Sequence, residues 1–83
     1  MDSNKAAAVE IIGKLQKEGH VAYLAGGCVR DMLRGEIPKD YDIATSALPE
    51  QITTLFSKTR EVGVHFGVVI VIKDNQAFDV ATF

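Results

Sequence analysis

A glycine pair at a predicted helix start is the first feature of this sequence that points to chemistry. Residues 24–31 read Leu-Ala-Gly-Gly-Cys-Val-Arg-Asp, so that Gly26 and Gly27 precede a predicted helix with Arg30 in its first turns. The start of a helix offers free backbone N–H groups and the positive end of the helix dipole, and both suit a phosphate group. A glycine pair alone also suits an ordinary tight turn, so the interpretation depends on the residues further along the chain.

A pair of carboxylates comes a few residues later. Asp40 and Asp42 are separated by one residue within a segment, 39–45, whose alternation predicts a β-strand. Residues i and i+2 of a strand point to one face, so we predict that the two carboxylates converge on one divalent cation. A phosphate-binding turn beside paired carboxylates is typical of metal-assisted phosphoryl or nucleotidyl transfer.

The elements that would hold these residues alternate between helix and strand. Apolar spacing and Gly or Pro boundaries predict helices at 3–18, 28–34 and 48–57 and strands at 20–25, 39–45, 67–73 and 76–83. Residues 62–65 are predicted to be loop or broken strand. This order predicts an α/β (α+β) fold in which helices pack on a mixed sheet.

The last two strands are predicted to form a hairpin around Asp74-Asn75. Residues 68–72 of strand 67–73 are apolar on both faces, so we expect this strand to be central, with the final strand antiparallel to it. This register sets Ile70 opposite Asp79. A carboxylate in an otherwise apolar strand is costly to bury unless a cation or a hydrogen-bond donor meets it, which makes Asp79 a further candidate site residue.

Composition excludes several classes of protein. The 83 residues suffice for one small domain, and the 11 acidic residues exceed the 9 Lys and Arg, so no basic face for independent nucleic-acid binding is expected. A single cysteine, Cys28, excludes an internal disulfide and is interpreted as a packing residue. No apolar run is long enough to cross a bilayer. We expect a cytoplasmic protein with no membrane partner.

Three motifs, taken in order, resemble one family. Residues 26–31 (Gly-Gly-Cys-Val-Arg-Asp), 40–45 (Asp-Tyr-Asp-Ile-Ala-Thr) and 78–83 (Phe-Asp-Val-Ala-Thr-Phe) resemble the start of the catalytic head of bacterial-type (class II) tRNA nucleotidyltransferases. These are the CCA-adding enzymes, with the bacterial poly(A) polymerases as close relatives in the DNA polymerase beta superfamily. The resemblance runs from Tyr23 to the last residue.

The resemblance implies a role for each matching position. Asp40 and Asp42 would ligate two Mg²⁺ ions between the nucleoside triphosphate and the 3′-hydroxyl of the RNA. Asp79 would be the third acidic residue near the metals. The triphosphate would contact the glycine pair and Arg30.

The implied activity is the addition of CMP and AMP from CTP and ATP to the 3′ end of tRNA. The alternatives are a poly(A) polymerase, an enzyme that adds only C or only A, and a module that binds nucleotide and Mg²⁺ without catalysis. Family members are several times longer, so residues 1–83 are expected to be the N-terminal part of the head domain, with the remainder of the enzyme absent. We expect this chain alone to bind Mg²⁺ and triphosphate weakly and to add no nucleotides. The oligomeric state stays open.

Overall fold

The computed structural model describes residues 3–38 and 40–83. Its elements in chain order are α1 (Ser3–Lys17), β1 (Ala22–Ala25), α2 (Gly27–Leu33), β2 (Asp42–Thr45), α3 (Pro49–Leu55), β3 (Thr59–Gly63), a 3₁₀ turn (Val64–Phe66), β4 (Val68–Lys73) and β5 (Gln76–Thr82). The three predicted helices are therefore present, with ends that differ from the predicted ones by one or two residues.

The strands form one mixed sheet in the order β1-β2-β5-β4-β3. Strand β2 runs parallel to β5, and the other three neighbouring pairs are antiparallel. A parallel pair needs a long crossover, and here α3, β3 and β4 supply it. The predicted mixed α/β architecture is confirmed.

The β4–β5 hairpin agrees with the sequence in turn and register. Asp74 and Asn75 both have positive φ, 52° and 63°, as a two-residue type I′ turn requires. Ile70 lies opposite Asp79, as predicted.

Three details differ from the expectation. The middle strand is β5 rather than β4, because β2 pairs in parallel with the free edge of β5. Residues 59–63, predicted in part as loop, form β3; their polar sequence does not alternate, and the strand is held by irregular pairing with β4. Strand β2 begins only at Asp42, so Asp40 precedes the strand instead of lying within it.

One face of the sheet is buried and the other is open. Helices α1 and α3 contact the sheet and each other, and they cover the inward side chains of four strands. The buried core includes Ala8, Ile11, Leu15, Ile43, Thr45, Ile52, Val69, Val71, Phe78 and Val80. The alternate residues, Asp42 and Asp79 among them, project from the opposite face because strand side chains alternate. The fold therefore presents these two carboxylates to the solvent side of the sheet.

Thr45 is the buried polar residue that fixes the end of β2. Its Oγ1 donates a hydrogen bond to the Val21 carbonyl at 2.7 Å and accepts one from the Ala47 N–H at 3.1 Å. Both Thr45 and Ala47 are fully buried. The hydroxyl thus links the chain after β2 to the residue that precedes β1.

We expect Thr45→Val to lower the free energy of unfolding by about 1–3 kcal/mol, because it leaves the buried Ala47 N–H without this acceptor. The matched control is Thr54→Val on the exposed side of α3, where Oγ1 donates to the Glu50 carbonyl at 2.8 Å. Its expected effect is below about 0.5 kcal/mol. Urea unfolding followed by circular dichroism measures both, and equal losses would contradict the assigned role of the Thr45 hydroxyl.

Candidate active site

Gly26 joins β1 to α2 in a backbone conformation that residues other than glycine rarely adopt. Its φ of 73° and ψ of −152° lie in a region that is essentially restricted to glycine. A Cβ atom built at this position would lie 2.9 Å from Asp42 Oδ2. Glycine is therefore required twice, once for the turn and once to leave room for the Asp42 carboxylate.

Gly27 and Arg30 are brought together in the first turns of α2. Gly27 begins the helix, and no side chain caps its N-terminus. The Arg30 guanidinium folds back, so that Nη2 would lie 3.7 Å from a Cβ at Gly27. The Arg30 side chain is largely exposed, and its Nε is 3.9 Å from Asp31 Oδ1. The positive guanidinium of Arg30 therefore lies close to the uncapped backbone N–H groups at the start of α2.

Asp40 and Asp42 line one cleft of about 280 Å³, together with Gly27, Cys28, Asp31, Glu36 and Ile37. The side chain of Asp42 projects from β2 opposite Ala25, whereas Asp40 is exposed in the segment that leads into the strand. The two aspartates line the same cleft, but Asp40 precedes β2, so strand alternation does not set the direction of its side chain as predicted. Lys39, which begins the predicted strand, lies outside the described residues.

Asp79 stands beside Asp42 across the sheet. The two residues are Cα partners in the parallel β2–β5 pair, and Asp79 is exposed on the open face. Within residues 3–38 and 40–83, no three carboxylate, histidine or cysteine side chains converge as one ready-made metal cluster. Asp79 therefore lies next to the candidate metal ligands without completing a three-residue cluster with them.

The carboxylate of Asp42 carries an electrostatic cost. Partial burial raises its pKa above the usual 3.8, and the nearby charges of Asp79 and then Asp40 raise that pKa further. In the described part of the chain, neither Asp40 nor Asp42 forms an ion pair with a basic side chain. Hard carboxylate oxygens with uncompensated negative charge are the donor set that Mg²⁺ prefers, so these residues fit the metal that the resemblance implies.

Two further residues line the cleft: Cys28, which the sequence predicts to be a packing residue, and Glu36, for which the sequence predicts no role. Cys28 is buried and its Sγ donates a hydrogen bond to the Ala25 carbonyl at 2.9 Å, consistent with a packing role at the β1–α2 turn. Glu36 lines the cleft after the end of α2, where its N–H donates to the Asp31 carbonyl at 2.9 Å. Glu36 comes after Gly35 in an irregular segment, so no periodic signal in the sequence could identify it.

Comparison with known proteins identifies the fold and the family. The profile of the Poly A polymerase head domain matches residues 22–83. The crystal structure of the Bacillus stearothermophilus CCA-adding enzyme in complex with CTP superimposes with a TM-score of 0.92 at 44% identity, covering 100% of this chain and 21% of that one.

Two curated relatives match the same share of this chain and only a small share of their own length. The CCA-adding enzyme of Geobacillus kaustophilus is 49% identical over 76 residues, which are 92% of this chain and 19% of the relative. Poly(A) polymerase I of Haemophilus influenzae is 44% identical over 77 residues, 92% of this chain and 17% of the relative. This chain therefore spans about a fifth of the length of the curated relatives it matches.

The fold is that of a nucleotidyltransferase head, a five-stranded mixed sheet with three helices. The chain belongs to the Poly A polymerase head domain family. The family resemblance read from the three motifs is thereby confirmed. Among the described residues, no helix has the length and apolar character needed to span a membrane.

We expect Gly26→Ala to lower the free energy of unfolding by about 1–3 kcal/mol, because the new Cβ meets both a forbidden backbone conformation and the Asp42 carboxylate. Gly27→Ala is the matched control: its Cβ meets only ordinary contact distances, so its expected effect lies between zero and a gain of about 1 kcal/mol. Urea titration of both variants measures the difference. A Gly27→Ala loss as large as that of Gly26→Ala would contradict this account.

The raised pKa of Asp42 predicts that ionisation of this carboxyl lowers the free energy of unfolding, and that the effect depends on pH. A carboxyl whose pKa is higher in the folded than in the unfolded state loses stability as pH rises through the interval between the two values. In metal-free buffer, Asp42→Asn should therefore unfold at similar urea concentrations to the parent below pH 3.8 and at higher concentrations above the folded-state pKa. If the difference in unfolding urea concentration between the two proteins stayed constant or shrank as pH rises, the charge of Asp42 would not destabilise the folded state.

Proposed function

We propose that this chain provides the metal- and triphosphate-binding part of an RNA nucleotidyltransferase that adds CMP and AMP, from CTP and ATP, to the 3′ end of tRNA. The observation that carries the proposal is the shared cleft of Asp40 and Asp42 beside the Gly26-Gly27 turn. The names of the relatives, CCA-adding enzymes with one solved in complex with CTP, support the same reaction.

Asp40 and Asp42 are the residues proposed to hold Mg²⁺, with Asp79 as the neighbouring third acidic residue. When bound, divalent cations in such a site neutralise the triphosphate and lower the pKa of an attacking hydroxyl. Both effects are needed because the 3′-hydroxyl of the RNA displaces pyrophosphate from the α-phosphorus in line.

The chain's own residues do the positioning. Gly26 leaves room for the Asp42 carboxylate beside the β1–α2 turn, and sheet pairing holds Asp42 at the start of β2. Gly27 and Arg30 place backbone N–H groups and a guanidinium at the same corner. A triphosphate held there would be attracted by Arg30 and kept next to the carboxylates that bind its counterions.

A poly(A) polymerase is the second candidate, and the 44% identity to the Haemophilus influenzae enzyme supports it. We assign no described residue to the base of the nucleotide, so the proposed site does not discriminate between the two candidates. An enzyme that adds only C or only A would use the same residues. A module without turnover would retain Mg²⁺ and triphosphate binding but transfer nothing.

We further propose that residues 1–83 are the N-terminal part of the head domain of a longer cytoplasmic enzyme. The support for this is the extent of the match, about a fifth of each relative. Other parts of such an enzyme would hold the tRNA, since the net charge of this chain is −2 and phosphate neutralisation underlies most affinity for RNA.

The proposal is tested by grafting residues 1–83 into the Bacillus stearothermophilus CCA-adding enzyme in place of the matching segment. We expect the graft to add labelled CMP and AMP to tRNA that lacks its CCA end, in a Mg²⁺-dependent reaction. Asp40→Asn or Asp42→Asn should reduce the rate by roughly a hundredfold or more, because each removes charge from the reacting centre.

The matched control is Asp74→Asn, an exposed carboxylate in the hairpin turn, which should leave the rate unchanged. A well-folded graft that is inactive with all carboxylates intact would contradict the proposal. A graft whose rate does not respond to Asp40→Asn or Asp42→Asn would contradict the assignment of the metal ligands.

A further inference from the structure

Two exposed aromatic rings lie on the open face of the sheet. Tyr23 projects from β1, and Phe83 comes directly after the end of β5, where its N–H donates to the Thr45 carbonyl at 3.0 Å. The rings stack with centroids 5.9 Å apart and planes inclined by 26°. Tyr23 is 50% exposed and Phe83 is 66% exposed. Each ring is only partly covered by the other, so aromatic surface is left open to a third planar group.

The ring pair shares its face with the candidate metal ligands. Tyr23 pairs with Ala44, and Ala25, two residues along β1, pairs with Asp42. Side chains two residues apart point to the same face at a spacing of about 6.5–7 Å. Tyr23 is therefore one strand repeat away from the Ala25–Asp42 pair, and Phe83 is two repeats away from Asp79 along the chain, on the same side of the sheet.

Nothing bulky separates the rings from the carboxylates on β2 and β5. Ala44 and Ala81, which are Cα partners across the parallel pair, lie in the same row as Tyr23 and adjacent to the row of Asp42 and Asp79. Their methyl side chains project only a short distance from the sheet beside the aromatic rings and the two aspartates. A flat group stacked on the rings can thus extend toward Asp42 and Asp79 without meeting a side chain of either central strand.

We propose that the Tyr23–Phe83 ring pair is the platform on which the unpaired 3′-terminal base of the acceptor RNA stacks. This inference rests on the proposed function, because it assigns the position of the second substrate at the same site. Aromatic side chains stack on any base, since every base has a π-face, and each such contact contributes about 1–3 kcal/mol. A base held there would direct its own ribose, and hence the attacking 3′-hydroxyl, toward the carboxylates on the same face of the sheet.

Binding of a short oligoribonucleotide with 2-aminopurine at its 3′ end tests the platform on the 83-residue chain. Stacking quenches 2-aminopurine fluorescence, so we expect saturable quenching at millimolar protein. Tyr23→Leu should weaken the binding by about fivefold or more, the factor that corresponds to one stacking contact. Tyr23→Phe, which keeps the ring, should retain the quenching and the affinity.

Two controls separate the ring from other causes. Val9→Ala alters an equally exposed apolar residue, 53% accessible, on α1, and should leave binding unchanged. An oligonucleotide of the same length with a 5′ fluorescent label and an abasic 3′ end should bind wild type and Tyr23→Leu equally in equilibrium dialysis, because it offers no 3′ base to stack. Circular dichroism verifies that each variant is folded.

Wild-type protein that fails to quench at millimolar concentration would overturn the platform, and so would equal quenching by Tyr23→Leu. The graft into the Bacillus stearothermophilus enzyme distinguishes this failure from failure of the proposed function. A graft that depends on Asp42 but whose KM for tRNA is unchanged by Tyr23→Leu retains the nucleotidyltransferase assignment and rejects the platform. A raised KM at unchanged kcat in Tyr23→Leu, rescued by Tyr23→Phe, supports both.

Discussion

The contact between the backbone at Gly26 and the carboxylate of Asp42 is the constraint on which the site depends. A side chain of any size at Gly26 would occupy the space of Asp42 Oδ2, 2.9 Å from the position of its Cβ. Glycine at this position therefore allows the turn that leads into α2 to lie close to the strand that carries Asp42. This close approach places the uncapped start of α2 beside the acidic cleft. The positive guanidinium of Arg30 therefore lies on the same helix that borders the negative carboxylates of Asp40 and Asp42.

The negative charges in and beside the cleft destabilise the folded chain. Burial and two neighbouring carboxylates disfavour the ionised form of Asp42, and the described basic residues do not compensate it by ion pairing. An arrangement that served only folding would place a cation or an apolar residue there. Unfavourable charge that persists in a well-formed sheet is typical of a site whose ligand supplies the missing charge.

Much of this architecture was predictable because the signals were local. The type I′ turn at Asp74-Asn75 fixed the hairpin register, which placed Asp79 correctly opposite Ile70. Helix starts and ends could be predicted from Gly and Pro. The three motifs identified the family before any geometry was known, and they also paired the glycine turn with the two aspartates.

The rest depended on contacts between distant parts of the chain. Strand β3 has no alternation and exists because β4 offers it a partner, and the central position of β5 results from its pairing with β2. The role of Gly26 in accommodating Asp42 needs both elements in place and has no signature in the spacing of residues. The Tyr23–Phe83 stack likewise joins residues that lie far apart in the sequence.

The parallel pairing of β2 with β5 has a consequence for the order in which the molecule assembles. The β4–β5 hairpin closes through a two-residue turn and can form within microseconds, whereas joining β5 to β2 closes a loop that contains α3, β3 and β4. That non-local pairing is also the one that brings Asp79 beside Asp42, so their mutual repulsion acts only once β2 and β5 have joined. The acidic face is consequently a property of the completed sheet alone, and a chain with only its hairpin and helices formed does not bring these two charges together.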